Sequence, residues 1–388
     1  MGGSEMERVR AVERYRRGEA PSEICASLGR SARWLYKWIE RAEAGAENWW
    51  TEKPRRPQRV ANRSEPAVEQ LAVEIRDRLE RDRQFSGAHS IAWELEETLR
   101  ETPSIATINR ILKRNGRVST ASRRRPAKGK RYPAPLVERA GSVHQSDFVG
   151  PRYLRGPVRF YSFNTVDLAT GRCATVPIAN RGTEVVVPAL WESWSRLGLP
   201  SIQQFDNELV FFGSRLHPRG LSQILRLCLL QGVEPLFIPP AEPWRNGVIE
   251  KFNDHWQEKF LSVHMTDFEQ VVNGSRLFDS RHNSRWRYRK HSGRTPNQVL
   301  ANSGVQLRFP PTLEPPRKSL PRPEVGRYHF IRFIRNNGLL VLFGESFRMP
   351  IEAQHEYVHA TVDVQKACLE VRLEGRLIES FRYDNPRH

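Results

Sequence analysis

The chain has 388 residues, of which 38% are hydrophobic and 27% charged, enough apolar material for two to four packed domains. Lysine and arginine outnumber aspartate and glutamate by 62 to 44, a formal net charge of +18 that adds self-repulsion and points to a polyanionic partner. No apolar run reaches the roughly 18 residues of a membrane span, the start Met1–Arg10 lacks a signal-like apolar segment, and Cys25, Cys173, Cys228 and Cys368 are too scattered for a zinc or disulfide frame.

Residues 1–50 predict a small helical domain. Val9, Val12 and Tyr15 recur at helical spacing until Gly18 and Pro21 interrupt them. Ile24, Cys25 and Leu28 give a second helix its apolar side; Gly29 ends it, Ser31 caps the next, and Leu35, Trp38 and Ile39 form the third helix's inner face. This is a helix-turn-helix pattern, with Arg30, Ser31, Arg33, Trp34 and Lys37 facing a DNA major groove. A Pro-, Arg- and Asn-rich linker follows over 51–66. Residues 67–116 repeat the layout as a second helix-turn-helix or winged-helix-like domain: helices over Val68–Leu79, His89–Leu99 and Ser104–Lys113, with Asn109, Arg110, Lys113 and Arg114 on the reading helix. Residues 117–140 are a basic linker. The stretch Lys113–Arg131 contains no acid, and its Arg123, Arg124 and Arg125 suit a phosphate backbone.

From residue 141 to 300 the pattern becomes α/β. Strands are predicted over Val143–Val149, Val158–Val166, Cys173–Ile178, Ser201–Phe205 and Glu234–Ile238, and helices over Thr183–Leu197, Leu221–Leu230 and Asn246–Leu261. That order implies a mixed sheet covered on both faces. After a Pro-rich linker (301–326), residues 327–388 alternate as short strands, with a hairpin-like turn at Arg335–Gly338, and a small β-barrel is expected.

Three carboxylates fall at informative places in the α/β region. Asp147 lies within the first strand, Asp206 ends the fourth, and Glu250 sits on the Asn246–Leu261 helix. Acids among apolar strand residues are costly unless paired or metal-bound. An all-oxygen set suits Mg²⁺ or Mn²⁺, and two such ions stabilise the attacking and leaving oxygens of a phosphodiester displacement. Asn246, Asn253 and Gln257 share the helical face of Glu250 and either orient it or touch DNA. Lys251 and His255 are candidate phosphate contacts, as are Arg285 and Arg287 in the basic–aromatic segment that follows. Asp167 reads as a turn residue, His144 as a packed histidine, and Glu208 as an alternative ligand to Asp206.

Asp147, Asp206–Asn207 and the segment Pro243-x-x-Asn246-Gly247-x-x-Glu250-x-x-Asn253 resemble the DDE motif of retroviral-integrase-type transposases, and His282-Asn283 with Gly293-Arg294-Thr295-Pro296 is similar to bacterial insertion-sequence members. The resemblance implies an RNase H-like core, with Asp147, Asp206 and Glu250 as both catalytic residues and metal ligands. It further implies 3′-end nicking and strand transfer on double-stranded DNA (terminal inverted repeats and target) by a homodimer or higher oligomer, in a cytoplasmic, nucleoid-associated protein. Two departures are Glu208, where the family commonly has glycine, and a longer second spacing, with an insertion at Phe211–Gly220. A silent DNA-binding regulator and an RNase H-like nuclease are the alternative readings.

Overall fold

The computed structural model describes residues 2–45, 47–52, 63–118, 130, 132–154, 158–213, 219–261, 265–316 and 319–384. The chain divides into two compact units, Met1–Glu65 and Pro66–His388. The expected backbone contacts Arg123, Arg124 and Arg125 lie outside the described residues.

The first unit holds α1 (Gly3–Arg16), α2 (Pro21–Leu28) and α3 (Ala32–Glu43). Proline opens α2 and Gly29, at φ +62°, closes it. The Ser31 hydroxyl accepts from the Trp34 amide and caps α3. Val12, Ile24, Leu35, Trp38 and Ile39 pack between the three helices, as the apolar spacing predicts.

The second unit begins with α4 (Pro66–Arg81), α5 (Ala88–Glu96) and α6 (Ile105–Arg114), packed around Ile75, Leu79, Ile91, Leu95, Ile108 and Ile111. This bundle is docked on the α/β core. Phe85 packs against His255, Trp286 and Tyr288, and Glu97 pairs with Arg287. Trp93 lies so close to Gly293, at φ +80°, that a Cβ there would stand 2.6 Å from the indole nitrogen. The glycine of the Gly293-Arg294-Thr295-Pro296 motif is therefore required by packing and by backbone conformation.

The core contains β1 (Val143–Tyr153), β2 (Arg159–Asp167), β3 (Cys173–Ile178), α7 (Thr183–Leu197), β4 (Ile202–Phe205), the short α8 (Leu209–Phe212), α9 (Gln223–Leu230), β5 (Glu234–Phe237), α10 (Gly247–Phe260), α11 (Phe268–Arg285) and α12 (Pro296–Ser303). The C-terminal strands are β6 (Arg327–Phe333), β7 (Leu339–Leu342), β8 (Glu345–Arg348), β9 (Tyr357–Asp363), β10 (Cys368–Leu373) and β11 (Arg376–Arg382). β1 runs antiparallel to β2 and parallel to β4, which makes the sheet mixed. α7 and α9 share one apolar cluster, whereas α10 and α11 belong to another.

The C-terminal strands build a small barrel-like unit: β6, β9, β10 and β11 form an antiparallel layer, and the β7–β8 hairpin packs into the same apolar cluster through Leu340 and Leu342. This unit is not freestanding. β6 pairs parallel with β5 through Leu236↔His329 and Phe237↔Phe330, so core and C-terminal strands make one nine-stranded sheet. The pairing protects what would otherwise be an open edge of the core. Arg335–Gly338 is a turn closed by the Gly338 amide on the Arg335 carbonyl, but it does not join a hairpin, since β6 pairs with β5 and β9 and β7 with β8.

Candidate active site

The site is assembled by strand register. In the parallel pair of β1 and β4, Gln145 lies opposite Gln204; Asp147 and Asp206 each follow two residues later, so both acids arrive at the same end of the sheet. The two glutamines also fix α10: the Gln145 side chain accepts from the Ile249 amide at 3.1 Å, and Gln204 donates to Asn246 at 2.6 Å. One helical turn after Ile249, Asn253 donates to Asp147 at 2.9 Å. Asn253 in turn accepts from Asn164, the residue paired with Asp147 across β1 and β2, and Asn164 accepts from Ser162 at 2.6 Å. Asn253 thus orients Asp147 rather than Glu250. Asn246 serves Gln204, and Gln257 accepts from Arg152.

Asp147 is pushed up to about 7, first by burial and then by the negative charges of Asp206, Glu208 and Glu250, against which the Phe148 amide is the opposing influence. Asp206 and Glu208 are likewise raised by burial, offset at both by the Arg181 guanidinium, which bonds Glu208 at 2.6 Å. Glu250 is raised by burial and by Asp254. Four acids therefore act within one electrostatic field, although among the described residues no three His, Cys, Asp or Glu side chains stand close enough to hold one ion together. The donor set fits a hard divalent cation on two grounds. It is all carboxylate oxygen, and the mutual repulsion that raises Asp147 is what a divalent charge relieves. Asp147 and Glu250 open into a groove of about 540 Å³, also lined by Arg152, Trp244, Lys251 and Asn253.

The other expected site residues are distributed as follows. On the first unit, Arg30 pairs with Glu7 at 3.0 Å, Ser31 caps α3, Arg33 is exposed, Trp34 is half-buried beneath Arg30, and Lys37 reaches Glu52 at 3.3 Å. On α6, Asn109, Arg110 and Lys113 face outward, and Arg114 is tied to Glu69. Lys251 is exposed beside Asp254, 3.5 Å away, and Arg285 is exposed at the end of α11. His255 and Arg287 are placed differently from the cationic phosphate contacts expected: His255 is half-buried against Phe85 with its pKa lowered by burial, and Arg287 is paired with Glu97. Asp167 is the expected turn residue, accepting from Thr170 and Gly141 beside buried His144.

Three residues of the site were not anticipated from sequence. Asn164 carries no local signal beyond being polar in an apolar strand. Arg181 precedes α7 in an ordinary-looking loop. Arg332 comes from β6, far away in sequence. It donates to Asn207 at 2.8 Å and to the Ile238 carbonyl at 2.9 Å, and its enclosure lowers it to about 9. The C-terminal strands thereby grip the residue that follows Asp206.

Residues 3–50 match the family model described as a Homeodomain-like domain. Among solved structures, a simian T-cell lymphotropic virus intasome in complex with PP2A regulatory subunit B56 gamma matches over 63% of this chain and 78% of that chain, at 15% identity and TM-score 0.37. The HTLV-2 integrase catalytic core domain in complex with magnesium matches over 42% and 99%, at 16% and 0.33. The BIV integrase catalytic core domain matches over 42% and 95%, at 18% and 0.33. The family model falls on the helix-turn-helix expected from sequence. Fold and site define a helix-turn-helix protein with a carboxylate-centred α/β core. Among the described residues no helix is long and apolar enough to cross a membrane.

Proposed function

We propose that the protein is a DDE transposase that binds the terminal inverted repeats of a mobile element, nicks their 3′ ends and joins them to target DNA. The observation that carries this reading is the delivery of Asp147 and Asp206 to one end of parallel strands, with Glu250 lining the same groove as Asp147 from a helix anchored by Gln145 and Gln204. Asp147, Asp206 and Glu250 would hold Mg²⁺ or Mn²⁺. Such ions, when bound, supply Lewis acidity at the attacking and leaving oxygens. Water is the first nucleophile and breaks the bond between the phosphorus and the element's terminal 3′ oxygen. That 3′ hydroxyl then attacks a target phosphodiester, forming one P–O bond as another breaks, with no covalent enzyme intermediate. Asn253 would hold Asp147 in direction through both steps, and Glu250 would complete the ligand set.

The first unit would read the repeats through Arg33 and Lys37, with outward Asn109, Arg110 and Lys113 on α6 contributing from the second bundle. Arg123, Arg124 and Arg125 would follow phosphates. Two ends must meet, so a homodimer or larger assembly on DNA, in the nucleoid, belongs to the same proposal. The decisive experiment is strand transfer on DNA carrying the element's flanking repeats, with and without Mg²⁺. Joined product only with Mg²⁺ and only for repeat-bearing DNA is expected. Repeat-specific binding without product would favour a silent regulator, and cutting without preference for the repeats would favour a nuclease.

A further inference from the structure

Glu208 stands where the resembled transposases commonly have glycine, and the structure gives it a partner, Arg181. Arg181 lies on the loop between β3 and α7. β3 is antiparallel to β2, and β2 to β1, so β3 runs parallel to β1 and this loop leaves the sheet at the end where Asp147 and Asp206 arrive. Asn180 ties the loop by accepting from the Gly182 amide at 2.6 Å. The Arg181 guanidinium rests 5.3 Å from the ring centre of Tyr161 and 5.9 Å from that of Phe148, a residue that lines the groove. Its Nη1 donates to Glu208 at 2.6 Å, and the Glu208 amide donates to Asp206 at 3.0 Å. Both side chains of the ion pair stay partly in water, Arg181 at 43% exposure and Glu208 at 32%.

An ion pair this exposed is weak and exchanges partners readily. Among the described residues Glu208 is the one hydrogen-bonding partner of Arg181, and it engages Nη1 alone. Nε and Nη2 are left as a planar fork of donors, of the kind that grips a phosphate at two points. Glu208 and a DNA phosphate in the groove therefore compete for one guanidinium. A divalent ion at the neighbouring acids tips that competition, because it attracts Glu208 and repels Arg181. We propose that Arg181 is a phosphate-binding residue held in reserve by Glu208: the pair opens when the acids take up a divalent ion, and the freed guanidinium binds a backbone phosphate of the DNA in the groove. Close engagement of DNA then waits for the metal, and the two binding events reinforce each other. The rings of Tyr161 and Phe148 keep the guanidinium at the rim as it changes partners. This inference rests on the transposase reading for the ion and for the DNA that share the groove.

The test measures the affinity of the full chain for a duplex carrying the element's flanking repeat, in EDTA and in Ca²⁺, where no strand is cut. Wild type is expected to bind roughly fivefold more tightly in Ca²⁺ than in EDTA. Arg181→Gln should lose most of that gain, and Arg181→Lys, which keeps the charge without the fork, should keep part of it. Glu208→Gln should bind in EDTA about as tightly as wild type does in Ca²⁺, with a salt dependence steeper by up to about 0.9, the value of one phosphate contact. The double variant Arg181→Gln/Glu208→Gln should bind no better in EDTA than Arg181→Gln, since the gain belongs to the freed guanidinium. Melting temperatures in EDTA check that every variant folds. A gain from Glu208→Gln of equal size with and without Arg181 would mean only that repulsion of phosphate was relieved, and would overturn the proposal. An Arg181→Gln protein that kept the full Ca²⁺ gain would overturn it as well. A Mg²⁺ nicking assay on wild type separates the two claims: the Arg181-dependent gain without nicking would sink the reaction and leave the switch, and nicking without that gain would do the reverse.

Discussion

Two aspartates, half-buried Asp147 and buried Asp279, are solved in opposite ways. Asp279 on α11 is 1% exposed and surrounded by partners: the Arg196 guanidinium, the Thr175 amide at 2.8 Å, the Thr175 hydroxyl at 3.0 Å and the Cys173 thiol. Burial raises it to about 6, with Arg196 and Thr175 pulling against that rise. Asp147 is less enclosed yet stands higher, at about 7, because its charged neighbours are other acids and its side-chain partner is a neutral amide. A carboxylate that only fastens a helix to a strand is given a cation. One left among like charges on a groove suits the metal-ligand role proposed for it. The price in stability of such a site is expected wherever function opposes it.

The largest expected effect removes a ligand. Asp206→Asn should lower strand transfer by at least about 10³-fold, or ~4 kcal/mol, because an amide lacks the anionic oxygen a divalent ion requires. Affinity for repeat DNA should hold or rise, since a negative charge beside phosphate is gone. If joining continues at the wild-type rate, Glu208 is the ligand and Arg181 its restraint.

Asp279→Ala tests the other half of the comparison. It leaves the Arg196 guanidinium and the Thr175 amide without their buried acceptor, so unfolding free energy should fall by roughly 3–5 kcal/mol, read from urea titrations. A loss no larger than that of an exposed acid such as Asp254 would erase the distinction between the two aspartates.

Much of this was legible in the sequence. Strand and helix positions in the core followed from period-2 and period-3.6 patterning, and the acids stood out because they interrupt apolar runs. What escaped was long-range. No local signal shows that β6 pairs with β5, that Arg332 reaches Asn207, or that Asn253 turns toward Asp147 rather than Glu250. α11 was missed for a related reason: its buried face includes Asp279 and His282, which read as polar until Arg196, Thr175 and Tyr288 are known to meet them.

Asp147→Asn should separate the two aspartates by pH. A folded value near 7 against a usual 3.8 means that the folded protein holds this proton more tightly than the unfolded chain. Stability therefore falls as pH rises from about 4 through about 7, and the asparagine variant escapes that loss. Three units at 1.36 kcal/mol set a ceiling near 4 kcal/mol, and water in the groove screens it to roughly 1–2 kcal/mol. Melts in EDTA should show the variant above wild type at pH 8, with the gap closing by pH 4. Mg²⁺ should raise the wild-type melting temperature at pH 8 more than the variant's. A gap independent of pH would mean that neither burial nor the neighbouring acids raise Asp147.

The smallest effect concerns the amide that stands where Asp279 has its arginine. Asn253→Ala removes the side-chain donor to Asp147 and leaves the Asn164 amide without its acceptor. Losing one neutral hydrogen bond in a groove-side position costs about 1 kcal/mol of stability, far less than Asp279→Ala, because no charge is stranded. The catalytic cost should be of similar size, roughly tenfold in joining rate at saturating metal, since Asp147 keeps its charge but loses its fixed direction. Asn253→Asp distinguishes direction from charge: it preserves the side-chain shape while placing another acid against Asp147, so it should depress joining further and shift the rise of activity with pH upward. If Asn253→Ala instead matched Asp206→Asn in activity, Asn253 would be doing more than orienting its neighbour, and the neutral partner of Asp147 would have to be counted among the groups that touch the reacting DNA.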